Sequence, residues 1–371
     1  MSDFSPVTAE PVYNPFDPAF RANPYPFYDV LREQAPAYDT GYGLIVLTRY
    51  SDVSHVLRSN DFSRDIDANA TPSDDAVAQR RRLRRSEGSK SILNLDPPDH
   101  TRLRRLVSKA FTPTAINALR AGIEAQVDAV LDRAAERGAM ELVDELAFPL
   151  PFQVISDLLD IPRDRSVEMR EWGQLLTAAL EPTTTLETLD AAEGALAQMG
   201  SYLTDVVEAR RHDLGGDVLS GLIVAEEEGD RLTTEELLSF VILLYVAGHE
   251  TTVNLIGNGM LALLRNPTEL DRWRRDPSLD ANAIDELLRY DGPVQHTVRV
   301  AMTPMSFGEG SQQIDIERGT PVLTVLGAAN HDPAVFDDPH ALRLDRPNAS
   351  RHLAFAAGIH YCLGASLARL E

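Results

Sequence analysis

Apolar positions recur at intervals of three and four along most of the chain and alternate with polar ones in only a few short places. Residues 116–137 and 189–211 carry the amphipathic helical spacing, and residues 142–159 form a strongly apolar segment interrupted by Pro149 and Pro151. Asp96-Pro97-Pro98 reads as a cap with proline in the first turn, opening a basic helix over 99–111 that Pro113 follows shortly. Strand signals are confined to 43–48, 298–305 and 321–326. The pattern predicts a mainly α fold with minor β.

The longest predicted element starts at Thr233, whose side chain can cap a helix while Glu236 reaches back to complete a capping box. No proline follows until Pro267, so the helix can run about 30 residues and about 45 Å, crossing a whole domain. It is apolar through 240–247 and is expected to be buried nearly all round. Its middle nevertheless reads Gly248-His249-Glu250-Thr251-Thr252. Burying such groups costs several kcal/mol unless they are paired. Either the stretch is a kink whose polar groups are satisfied by water or backbone, or they act on something.

The chain has 371 residues, 43% hydrophobic and 25% charged, which excludes global disorder, and its net charge of −22 makes it a poor general partner for nucleic acid. No repeat or flexible linker divides it, so residues 1–371 are expected to form a single domain. Its longest purely apolar run, 240–247, is far short of the roughly 20 residues of a membrane span. The first 18 residues are acidic and proline-bearing, unlike a signal peptide, so no membrane and a cytoplasmic location are expected. The arginine-rich run 80–85 lacks interleaved aromatics and is expected to be a solvated loop. His249 beside Glu250 points elsewhere on the helix and makes no metal pair.

A single cysteine, Cys362, rules out an internal disulfide and a multi-cysteine zinc site. Such a residue is commonly an inert buried packing group. Here it sits in Phe355-Ala356-Ala357-Gly358-Ile359-His360-Tyr361-Cys362-Leu363-Gly364-Ala365, small residues that let a flat object approach the backbone, just before a predicted helix over 363–371. A helix N-terminus stabilises a thiolate. One thiolate suffices as an axial ligand of haem iron, whereas zinc needs three or four protein ligands.

Phe355, Gly358, Cys362 and Gly364 reproduce the spacing Phe, two residues, Gly, three residues, Cys, one residue, Gly. With Ala247-Gly248-His249-Glu250-Thr251 and the pair Glu286 and Arg289, the chain resembles the cytochrome P-450 family, haem-thiolate monooxygenases of the soluble bacterial type. The likeness extends from Asn14-Pro15-Phe16-Asp17-Pro18 through Ala147-Phe148-Pro149-Leu150-Pro151 to the cysteine. Two departures stand out: Ala356 where the family usually has glycine, and Ala341-Leu342 in place of a common Arg-Phe.

The resemblance implies a long central helix over haem b, with small sheets on the N-terminal side and after the Glu286 helix. It makes Cys362 the iron ligand and places Ala247, Gly248, Phe355 and Gly364 against the cofactor. His100 and Arg104, four apart on one helix face, together with Arg299 and His360, become partners of the haem propionates. Glu286, Arg289 and Arg346 become a structural triad behind the cysteine loop. Arg102 and Arg105 are expected to be solvated or part of a docking surface for an acidic electron donor.

The implied reaction inserts one oxygen atom from O2 into a hydrophobic small molecule, with Glu250 and Thr251 organising proton delivery. Electrons are expected from a ferredoxin and its NAD(P)H-dependent reductase, and the substrate pocket is expected to be lined by apolar residues from loops, including residues of 64–92 and 168–188. A peroxide-driven enzyme and a haem sensor without turnover are the rival readings. The predicted last helix ends on Glu371 without a Gly or Asn cap, so the chain is expected to lack a C-terminal segment.

Overall fold

The computed structural model describes residues 12–72, 75–86, 91–108, 111–181, 183–227 and 232–371. They divide into two compact units, Met1–Pro72 with Leu255–Cys362, and Ser73–Asn254 with Leu363–Glu371.

The first unit holds the seven strands found among the described residues: β1 Ala37–Asp39, β2 Ile45–Leu47, β3 Phe62–Ser63, β4 His296–Ala301, β5 Met305–Phe307, β6 Ile314–Ile316 and β7 Pro321–Val325. The strands of the N-terminal side share one sheet with those after the Glu286 helix, ordered β1-β2-β7-β4-β3, and β5 and β6 form a second, two-stranded sheet. The join is a parallel pairing of Ile45, Val46 and Leu47 with Val322, Leu323 and Thr324. Both strands are apolar on both faces because both are covered: Leu47 and Val322 face a cluster with Val53, Leu57 and Leu353, and Val46 and Leu323 face Phe20 and Tyr28. Asp17 caps the first helix, Pro18–Ala22, by accepting from Ala19 N at 2.8 Å.

The second unit is helical. Pro149 and Pro151 do not interrupt a helix; they sit in the first turn of Pro149–Leu159, where a missing N–H costs nothing, after a π turn over Val143–Ala147. The expected helix over 116–137 is two, Pro113–Ala118 and Arg120–Arg137, and that over 189–211 extends to Leu186–His212. The basic helix is Asp99–Ser108, residues 109–110 lying outside the described set. The arginine run is corrected from loop to helix, Ala76–Ser86. Arg80 bridges Asp190 and Glu193 at 3.0 and 2.7 Å, and Arg81 donates to the Ala179 and Glu181 carbonyls at 2.6 and 3.2 Å.

The longest helix is Thr234–Arg265. Its capping box is reciprocal: Glu236 N donates to Thr233 Oγ1 at 3.1 Å, and Thr233 N to Glu236 Oε2 at 2.8 Å. Among the described residues it alone is long and apolar enough by composition to cross a bilayer. Phe240, Val241, Tyr245, His249 and Thr252 are buried along it, while Ala247, Asn254, Leu261 and Leu264 are exposed, so the helix is buried on one side rather than all round.

Candidate active site

The first unit carries Cys362 at the end of a closed loop. Cys362 N donates to Phe355 O at 3.0 Å, Tyr361 N to Gly358 O at 3.1 Å, and Ala356 N to Leu353 O at 2.8 Å. Gly358 lies at φ +71°, and a Cβ there would stand 2.4 Å from Leu57 O, so glycine alone lets the loop rest on the helix Tyr50–Arg58. Ala356 also adopts a left-handed backbone, φ +57°. The departure from glycine therefore keeps the shape glycine would give, at a strain of about 1–2 kcal/mol.

Behind the loop, Glu286 and Arg289 share a face of the helix Asp280–Asp291. Arg289 grips Glu286 with Nε to Oε2 at 2.7 Å and Nη2 to Oε1 at 2.9 Å, and Arg346 Nε donates to both carboxylate oxygens at 3.1 and 3.0 Å. All three side chains are buried. Two guanidiniums against one carboxylate leave a surplus positive charge, which backbone carbonyls absorb. Arg289 donates to the oxygens of Asn330, Pro339 and Ala341, and Arg346 to those of Asp337, Asp338 and Ala341.

The triad reaches the cysteine loop through Asn330, which sequence reasoning missed. Its carbonyl accepts from Arg289, while its Oδ1 accepts from Leu353 N at 2.7 Å. The only sequence signal was a polar residue closing the apolar stretch after β7. In β4, Arg299 is buried and donates to Thr297 Oγ1 at 3.0 Å and Val298 O at 2.9 Å, and His360 ends the short turn Gly358–His360.

The second unit carries His100, Arg104, Ala247, Gly248, Glu250, Thr251 and, by its chain division, Gly364. His100 is buried and Arg104 half-buried, one turn apart on Asp99–Ser108. Burial and then the Arg104 charge hold the His100 imidazole below its ordinary pKa. Arg102 is half-buried and makes a two-pronged pair with Glu236 of the capping box, a partner not expected from the sequence. Arg105 is exposed, as expected.

On the long helix, Thr251 Oγ1 donates to Ala247 O at 2.8 Å and Thr252 Oγ1 to Gly248 O at 3.3 Å. Both hydroxyls are thus satisfied by the preceding turn, a pattern that loosens and bends helices. Ala247 is exposed, and Glu250 and Thr251 are half-buried. A Cβ on Gly248 would lie 2.6 Å from Ile155 Cδ1, so this glycine also serves helix packing.

The donor chemistry fits haem. Among the described residues no group of three or more His, Cys, Asp or Glu side chains is placed to hold a bare metal, so a lone thiolate suits a metal that brings its own equatorial ligands. At Gly364 a Cβ would meet no protein atom within 4 Å, so packing within the protein does not require glycine there.

The chain is 41% identical over 362 residues to cytochrome P450 107B1 of Saccharopolyspora erythraea, covering 96% of this chain and 86% of that one. It is 39% identical to the cytochrome P450 monooxygenase PikC of Streptomyces venezuelae over 95% of this chain and 82% of that one. A crystal structure of P450BioI, in complex with an acyl carrier protein ligated to hexadec-9Z-enoic acid, superposes with a TM-score of 0.85 at 34% identity, covering 95% and 89% of the two chains. The sequence profile of the Cytochrome P450 family matches residues 37–276 and 277–371. Fold, cysteine loop and relatives agree: the chain belongs to the cytochrome P450 family, haem b monooxygenases that use O2 and a redox partner.

Proposed function

We propose that this monooxygenase oxidises a hydrophobic small molecule in the cytoplasm, by hydroxylation or epoxidation, with electrons delivered singly by a ferredoxin and its NAD(P)H-dependent reductase. Cys362 would be the thiolate ligand of the haem iron, and His100, Arg104, Arg299 and His360 would hold the propionates. When bound, the haem supplies the iron at which O2 is reduced and split, and a thiolate ligand favours that cleavage. Every other task falls to the chain's own groups.

The observation that carries the reading is the closed loop from Phe355 to Cys362, braced through Leu353 and Asn330 to the buried Glu286 triad. It holds one half-buried cysteine at the end of a braced loop. Thr251 parks its proton on Ala247 O and keeps lone pairs with which to accept from water, and Glu250, one residue earlier, can replace a proton that Thr251 gives up. Arg299, already bound to Thr297 and Val298 O, is an oriented guanidinium rather than a mobile one. A hydrophobic substrate is supported by P450BioI, whose complex carries a fatty acyl chain on its carrier protein.

The test is a ligand screen reading the haem absorption band, followed by NAD(P)H consumption and product analysis. A ligand that shifts the band and yields a product with one added oxygen supports the reading. Shifts without turnover, with a competent ferredoxin present, would favour a sensor, and turnover with peroxide alone would favour the peroxide-driven alternative. Cys362→Ala is expected to abolish the red-shifted band of the reduced, carbon-monoxide-bound protein, and its survival would remove Cys362 as ligand.

A further inference from the structure

The motif residue His249 is left without a role in the reaction proposed above, although it is adjacent to Glu250 and two residues from Thr251. At roughly 100° per residue, Tyr245, Gly248, His249 and Thr252 fall on one side of the long helix, and Ala247, Glu250 and Thr251 on the other. The first side is anchored point by point to the helix Pro149–Leu159. Tyr245 OH lies 2.5 Å from Ser156 Oγ, which itself donates to Phe152 O at 2.8 Å, so the phenol is the donor of that pair. Gly248 lets Ile155 pack against the helix backbone.

His249 is the third anchor. Its Nε2 is 3.3 Å from Phe148 O, and a carbonyl can only accept, so Nε2 carries the proton. Its ring stands edge-on to Phe148 at 4.2 Å and to Phe152 at 5.9 Å, and the Arg170 guanidinium covers Phe148 at 3.7 Å. His249 is 6% exposed, and burial, with Arg170 nearby, lowers its pKa to about 4, so the ring is neutral under ordinary conditions. A charge change does not loosen the anchor near neutrality.

We infer that His249 is a positioning residue: its bond to Phe148 O fixes the rotation of the long helix at the point where the threonines weaken the backbone ladder, and so aims Glu250 and Thr251. Back-bonding at two consecutive residues gives this stretch freedom to twist, and the anchors on the opposite side remove it. The inference rests on the reading of Glu250 and Thr251 as the proton-delivery pair, and its test separates the two.

The experiment compares the haem-bound parent with His249→Leu, His249→Gln and Thr251→Ala. Leu keeps the volume and loses the donor, whereas the Gln amide can still reach Phe148 O. Two readouts are taken: amide hydrogen exchange across 245–252, and product formed per NAD(P)H with an identified substrate. His249→Leu is expected to retain haem and substrate-induced absorption, to exchange about tenfold faster in this stretch, as for one lost hydrogen bond, and to divert electrons to peroxide. His249→Gln is expected to restore both readouts. Unchanged exchange in His249→Leu, or equal loss in the Leu and Gln variants, would overturn the inference. If exchange rises while Thr251→Ala and His249→Leu both keep full coupling, the anchor stands as a structural one, and the catalytic part of the inference falls together with the reading of the pair.

Discussion

Gly358→Ala perturbs the cysteine loop at its most constrained point. The residue lies at φ +71°, where a side chain costs about 1–2 kcal/mol relative to glycine. The new Cβ would stand 2.4 Å from Leu57 O and 3.2 Å from Arg58 Cα, both backbone atoms of a packed helix. Moving such a contact apart costs about 1–3 kcal/mol, while the stiffer unfolded chain returns about 0.4–1 kcal/mol. The net loss is about 1–5 kcal/mol, and it falls on the segment that presents Cys362. Urea unfolding of the haem-bound protein, followed by far-ultraviolet circular dichroism and by the haem band, measures it. The haem signal is expected to be lost at lower urea than in the parent. Ala356→Gly is the internal control: it removes strain at φ +57°, but the freer unfolded chain gives most of that back, so stability should stay within about 1 kcal/mol. If Gly358→Ala loses less than about 1 kcal/mol and keeps the parent's haem band, the loop does not rest on Leu57 as described.

Glu286→Gln strips the shared carboxylate from two buried guanidiniums and is expected to cost about 3–5 kcal/mol in the same denaturation assay; a loss near zero would mean the carbonyls suffice. Arg104→Ala should lower haem retention more than Arg82→Ala, and equal haem content would move the propionate site elsewhere. His249, buried neutral with a pKa near 4 against an ordinary 6.5, contributes stability that is complete above pH 6.5 and is lost as pH falls from there through about 4. His249→Gln should flatten that part of the acid limb, with His100, His296 and His331, also held low chiefly by burial, contributing to what remains; an unchanged limb would refute the assignment.

The long helix, its capping box and the cysteine loop were legible because each is local: a cap, an apolar run or a fixed spacing leaves its mark within a dozen residues. The arginine run was misread because its partners are remote. Nothing near residue 80 reveals Asp190 or Glu193, yet those carboxylates and the Ala179 carbonyl hold the arginines on a helix. The pairing of Arg102 was hidden for the same reason, its partner Glu236 being 134 residues away and already read as a cap. Charge partners across such separations are set by packing, which no window of sequence contains.

The two departures from the family pattern show the other side of that limit. Ala341-Leu342 stands where Arg-Phe is common, which suggests a weakened triad. Yet the part of residue 341 that the triad uses is its carbonyl, accepting from Arg289 at 3.3 Å and Arg346 at 2.8 Å, and any residue brings a carbonyl. Leu342 supplies the buried apolar group, packing with Leu263, Leu287 and Leu344. Ala356 likewise keeps a backbone angle rather than a side-chain contact. Where backbone atoms carry the load, side-chain identity can drift at the cost of strain or packing alone, whereas Glu286 and Arg289 act through side-chain atoms with no backbone substitute. A motif therefore reports best on positions of the second kind, and a mismatch at the first kind says little about whether the site is built.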